Sequence, residues 1–272
     1  MIRPGSLRLL PEPMANSNKG FTLIELAVVL FLVSLVLGGV MTPLATRVEQ
    51  EERKKAEEML AEIKESLIGY ALVNGHLPCP DCPGDAASAS CAAAGTTNND
   101  GLEDGFDGTT AVSPRGTPDD FGFCAVEVGN LPWATLGLSE FVPWGNRFVY
   151  SVDQRFADNN AGTGCGTATA NVSFEICSNG DISVWEEAAA TNLVANNIPA
   201  LVFSYGANGN AFGGTAPTSA DEVANWWTAS PPDKNFVSTD YNSTTADEFD
   251  DLLVWISPGL LIYKMVNAER LP

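Results

Sequence analysis

From Phe21 to Met41 the chain reads FTLIELAVVLFLVSLVLGGVM, an apolar run broken by a single charge, Glu25. No other stretch constrains the fold as strongly. As a helix rising about 1.5 Å per residue, the run reaches about 30 Å, the thickness of a bilayer's hydrocarbon core. Arg3, Arg8 and Lys19 precede it and an acidic mass follows it. That asymmetry predicts an N-in, C-out orientation. A secretory signal would instead carry small residues at a cleavage site after the apolar run, and Thr42-Pro43-Leu44-Ala45 matches that pattern weakly. Glu25 is the anomaly. A carboxylate in hydrocarbon is costly without a partner, so it calls for a cation or a hydrogen-bond donor nearby.

The residues in front of the run give the sharper signal. Asn18-Lys19-Gly20-Phe21-Thr22-Leu23-Ile24-Glu25 resembles the type III signal sequence of type IV pilins and type II secretion pseudopilins. The resemblance implies cleavage by a prepilin peptidase between Gly20 and Phe21, and methylation of the new Phe21 amine. The apolar segment then stays on the mature protein. Gly20 suits such a cut because it has no side chain to obstruct a narrow site. The freed Phe21 amine of one subunit can meet Glu25 of a neighbour, so the resemblance makes Glu25 an assembly residue. It also implies a single-pass inner-membrane protein with a periplasmic body, which afterwards joins other pilin or pseudopilin subunits in a pilus or pseudopilus that can reach the cell surface.

Beyond the run, residues 44–73 read as an amphipathic helix. Ala56, Met59, Leu60, Ile63, Leu67 and Ala71 recur at the three-to-four spacing of one face. Glu49 with Arg53, and Glu51 with Lys55, stand at i,i+4. Asn74-Gly75 is a stop signal. One helix is therefore expected from about Phe21 to Val73, weakened at Gly38, Gly39 and Pro43. From His76 onward, turn residues separate short β-like runs at Phe148–Val152, Val172–Ile176, Asp181–Trp185, Ala200–Ser204 and Leu252–Ile256. Residues 84–120 and 206–248 read as long surface insertions. The expected fold class is α+β: a long N-terminal helix, its apolar half protruding and its amphipathic half packed on an antiparallel β-sheet, with long loop insertions. The expected organisation is a leader at 1–20, a transmembrane and assembly helix at 21–43, an amphipathic helix at 44–75 and a globular pilin-like domain at 76–272.

The body is similar to a group of large pilin-like proteins. The shared pieces are Leu77-Pro78-Cys79-Pro80, the stretch Leu131-Pro132-Trp133-Ala134-Thr135-Leu136-Gly137-Leu138, and Trp144-Gly145-Asn146-Arg147-Phe148-Val149-Tyr150. Near the end come Phe249-Asp250-Asp251-Leu252-Leu253-Val254-Trp255 and Arg270-Leu271-Pro272. In pseudopilins the Trp-Gly-Asn-Arg-Phe type of string leads from a turn into a strand.

The net charge is −20 and only six Lys or Arg follow Lys64. Such a body repels phosphate backbones, which argues against a nucleic-acid partner. All six cysteines, Cys79, Cys82, Cys91, Cys124, Cys165 and Cys177, lie beyond the apolar run. An even number on that side suggests disulfides in an oxidising compartment. A zinc site would want a second Cys pair or further His, and His76 is the lone histidine. One set of pairs is Cys79 with Cys124, Cys82 with Cys91 and Cys165 with Cys177, among many combinations. Asn98-Asn99-Asp100-Gly101-Leu102-Glu103-Asp104-Gly105-Phe106-Asp107 resembles short calcium loops of extracellular proteins. There Asn98, Asp100, Asp104 and Asp107 would give side-chain oxygens and Leu102 a carbonyl to Ca²⁺. A solvated Asn/Asp/Gly turn accounts for the same string.

No catalytic motif is present: there is no GxSxG, HExxH or P-loop. Asp250 and Asp251 are neighbours, and on a strand they would face opposite ways, which argues against a paired-carboxylate site. Trp226-Trp227 reads as core or loop anchor before ligand platform. The reading is a structural subunit and not an enzyme: a minor pilin or pseudopilin of a type IV pilus or type II secretion filament. The alternatives are a filament-borne adhesin that binds through the insertions, or a major pilin.

Overall fold

The structure is a computed structural model that describes residues 20–83, 91, 99–106, 111–112, 123–158, 169, 171–209, 217–226, 234–244 and 247–272. In chain order its elements are α1 (Leu23–Asn74), β1 (Gly105–Phe106), β2 (Ala111–Val112), β3 (Phe123–Cys124), β4 (Val128–Asn130), α2 (Trp133–Leu136), β5 (Val149–Val152), α3 (Gln154–Ala157), β6 (Ile182–Trp185), β7 (Leu193–Ile198), β8 (Ala200–Ser204), α4 (Ala220–Asn225), β9 (Asn235–Val237), β10 (Leu252–Ile256) and α5 (Pro258–Asn267). The class is α+β. The chain divides into two compact units, Met1–Glu49 and Gln50–Pro272, with the division inside α1.

In the first unit α1 turns apolar side chains outward along its described length. Phe21 is 84% exposed and Leu23 87%. Leu26, Leu30, Phe31, Leu35 and Val36 are exposed as well. Among the described residues no helix is long and apolar enough to cross a membrane; the side chains of residues 37–46, which include the end of the apolar run, are outside the description.

In the second unit α1 is amphipathic, as its spacing predicts. Ala56, Leu60, Ile63, Leu67, Ile68 and Ala71 are buried and Met59 packs against them. Outside the stripe the helix carries the ion pairs Arg53–Glu57 and Lys54–Glu58, at 3.6 and 3.7 Å. Such i,i+4 pairs at a helix surface contribute little, so the helix is held mainly by its buried stripe. It ends where Gly75 donates its N–H to the carbonyl of Ala71.

A four-stranded antiparallel sheet of order β10-β8-β5-β4 forms the centre. Period-two alternation assigns its two faces to two cores. Tyr150, Val152, Ala200, Val202 and Ile256 join the α1 stripe together with Leu261 and Met265 of α5. Val149, Leu201 and Phe203 face the other way and meet Ile182, Val184, Ile198 and Phe236 of a second sheet, of order β7-β6-β9. Strands β5 and β8 are therefore buried on both faces, and their sequences, Val-Tyr-Ser-Val and Ala-Leu-Val-Phe-Ser, read as continuous runs rather than as apolar-polar alternation.

The structure changes several expectations. Val172–Ile176 forms no strand: Val172 and Phe174 are buried in the α1 core, but the segment meets Gly75 through one Ser173 N–H and then turns at Ser178. Ser173 and Glu175 are buried too, so the segment is an extended chain buried on both sides, without a ladder partner. The second sheet is not purely antiparallel, since β6 pairs with β9 in parallel. Both β9 and α4 lie within residues 206–248, read above as surface insertion, and they bury Phe236, Val237, Glu222 and Asn225. Helix α5 was not foreseen, although Ser257-Pro258 at its start and Leu261/Met265 at i,i+4 were visible signals.

Candidate functional site

At the N-terminal end of α1, the backbone N–H of Glu25 points to Thr22 Oγ1 at 3.3 Å, and the backbone N–H of Thr22 to Glu25 Oε2 at 3.5 Å. This reciprocal pair is a capping box, long in both contacts, which satisfies orphan donors of the first turn. The Thr-x-x-Glu spacing that signals it is legible in the sequence. It gives Glu25 a partner within its own chain, in addition to any cation that a neighbour supplies. Gly20 and Phe21 lie outside the helix and are exposed.

A second constellation surrounds the cysteines. The structure joins Cys79 to Cys124 and Cys82 to Cys91. Cys177 is also disulfide-bonded; Cys165 lies outside the described residues. Residues 99–104 dock on the Cys79–Cys82 segment. Glu103 accepts the backbone N–H of Cys79 at 3.1 Å and the Tyr70 hydroxyl at 2.5 Å. Asp104 Oδ2 accepts the backbone N–H of Cys82 at 2.8 Å, and Asp100 Oδ1 accepts that of Leu102 at 2.9 Å. Of the five residues in the calcium reading, Asp100, Leu102 and Asp104 are thus placed, while Asn98 and Asp107 lie outside the described residues. Two buried residues absent from that reading stand beside them. Asp81 and Asn130 pair backbone to backbone, and Asn130 Nδ2 donates to Asp81 Oδ2 and to Asn99 Oδ1. Asp81 Oδ1 and Asn130 Oδ1 have no hydrogen-bond partner. Burial, then the charge of Asp104, pushes the Asp81 carboxyl up to about 7.

A third constellation corrects the reading of Asp250 and Asp251. They precede β10 rather than lie on it, so strand alternation does not separate them. With Glu222 of α4 they bring three carboxylates together, all buried, with one oxygen from each within 4.8 Å of the others. Burial first, and then the neighbouring acids, raises Asp250 to about 6 and lifts Asp251 well above the carboxylate range. The sequence hid this group because Glu222 lies far from the Asp pair along the chain. Its only local sign was a doubled Asp in front of an apolar strand.

Residues 15–41 match the family model for the prokaryotic N-terminal methylation motif. That is the type IV prepilin signal, and it supports a type IV pilin-like or pseudopilin-type substrate. The match covers the segment in which Gly20, Phe21 and Glu25 stand, and it points to a structural subunit processed by a peptidase and assembled with other pilin subunits. No curated protein and no solved structure matches the chain.

Proposed function

We propose that this protein is a minor pilin or pseudopilin, cut between Gly20 and Phe21, methylated at Phe21 and built through α1 into a type IV pilus or type II secretion filament. One observation carries the reading: the methylation motif at residues 15–41 coincides with the first part of α1, whose large apolar side chains are exposed from Leu23 to Val36. Such a surface is unfavourable in water, and lipid or neighbouring helices would cover it. Before assembly the helix holds the chain in the inner membrane with the body in the periplasm, where disulfides persist. In the filament, the Phe21 amine of one subunit neutralises Glu25 of the next and fixes their axial register. The size of the body favours a minor subunit over one repeated thousands of times.

The test separates processing from assembly. Gly20→Ala is expected to leave the precursor uncut, read as intact mass. Glu25→Ala is expected to be cut and methylated yet to fall at least tenfold in purified filaments. Normal processing and assembly of both variants would sink the proposal. Copy number per filament then distinguishes minor from major. Calcium at the 98–107 loop is a separate proposal, supported by the buried, partnerless oxygens of Asp81 and Asn130.

A further inference from the structure

We propose that Glu222, Asp250 and Asp251 form a binding site for one calcium-class divalent cation, independent of the 98–107 loop and of the filament reading. The three side chains come from two parts of the chain, α4 and the segment before β10, and each is held by donors. Asn208 Nδ2 donates to Glu222 Oε1 at 3.1 Å and Oε2 at 3.3 Å, and the backbone N–H of Asp250 to Oε1 at 3.1 Å. The backbone N–H groups of Ala207 and Asn208 donate to Asp250 Oδ2 at 2.7 and 3.1 Å. Asn225 Nδ2 donates to Asp251 Oδ2 at 2.7 Å.

Gly206 makes the second of these arrangements accessible. It has a φ of +64°, and a Cβ there would lie 2.3 Å from the Asp250 carboxyl carbon. Only a bare backbone can come close enough for the next two amides to reach the carboxylate.

The donors leave one oxygen unexplained. Asp250 Oδ1 is fully buried and has no hydrogen-bond partner, and an oxygen in that position carries a desolvation penalty. None of the three carboxylates has an ion pair among the described residues. A cleft of about 220 Å³ opens beside Glu222 and Asp251, lined also by Tyr205, Asn208, Trp226 and Glu248, with no basic residue among its described lining; Asp250 lies outside that lining. A bound dication accounts for these facts: it compensates the mutual repulsion, gives Asp250 Oδ1 a cation to ligate and draws its coordinating water from the cleft beside Glu222 and Asp251. Carboxylates alone, with no sulfur or imidazole, select a hard cation. An irregular set of acidic oxygens beside open space favours calcium, which takes about six to eight ligands, over the strict octahedron of magnesium.

The test is calcium titration of the full-length protein in detergent after chelator treatment, read by calorimetry and by thermal melting. The wild type is expected to bind and to melt several degrees higher with calcium. Asp250→Asn and Glu222→Gln, which keep side-chain size, are each expected to weaken one binding event at least tenfold. Asp100→Asn with Asp104→Asn should leave that event unchanged. Should the first two variants fail to fold, terbium on the wild type replaces them. Luminescence sensitised by Trp226, lost in Trp226→Phe and displaced by calcium but not by equal magnesium, is the expected result. Wild-type calcium affinity in Asp250→Asn and Glu222→Gln, no binding to the wild type, or a preference for magnesium overturns the proposal.

Discussion

Gly75→Ala is expected to destabilise the body by roughly 2–5 kcal/mol, combining the left-handed backbone penalty with overpacking. Gly75 ends α1 at a φ of +82°, and a Cβ there would lie 1.9 Å from the carbonyl oxygen of Asn171. That oxygen cannot swing away like the tip of a flexible side chain. Asn171 is itself held at a positive φ of 62°, and two residues on the Ser173 N–H bonds the Gly75 carbonyl at 3.0 Å. Against a total stability of about 5–15 kcal/mol the loss is large. Thermal unfolding followed by tryptophan fluorescence should show a drop of roughly 5–15 °C. The internal control is Gly259→Ala. Gly259 is exposed in the first turn of α5, where a Cβ meets only Ser257 Oγ, at 3.9 Å. Here alanine should raise stability by about 0.5–1 kcal/mol through helix propensity and unfolded-state entropy. Equal effects at the two glycines would refute the account of how α1 ends.

Removing the Cys79–Cys124 bond should cost more than removing Cys82–Cys91. The first closes a sequence separation of 45 residues and the second one of 9. Loop-closure entropy then gives about 4 kcal/mol for the first and about 2.5 kcal/mol for the second. The order is reinforced by position: Cys79 and Cys124 are part of the α1 core, whereas Cys82 and Cys91 pack in a small cluster with Ala125 and Val126. The measurement is the urea midpoint of the two double Cys→Ala variants against wild type. A larger loss for Cys82→Ala/Cys91→Ala would show that the 79–124 tie does not constrain the unfolded chain as argued.

What could be read in advance follows the range of the interactions. Helix α1, its buried face and its stop at Gly75 were legible because helical periodicity and end signals lie within a few residues of one another. Strands β8 and β10 were legible as short apolar runs between breakers. Val172–Ile176 misled because alternation signals an extended, buried chain, and burial of Val172 and Phe174 is real, while the ladder partner that makes a strand is missing. Strand β7 was missed because Leu193 and Val194 are exposed and Asn196-Asn197 interrupts the pattern. The Trp144–Tyr150 string did what the resemblance implied, running from a turn into β5.

The sites divide in the same way. The methylation motif lies within residues 15–41, and a linear signal of that kind needs no fold to be recognised. The capping box at Thr22 and Glu25 belongs to it, since its two members are three residues apart. The buried acids are different. Asp81 with Asn130, and Glu222 with Asp250 and Asp251, are ordinary residues of an acidic chain until the sheet brings them together. Sequence therefore determined the apolar run of this protein, its methylation motif and the solitary Glu25, because each is defined by neighbours along the chain. Only the tertiary structure decided which carboxylates lost their water, because burial depends on partners distant along the chain.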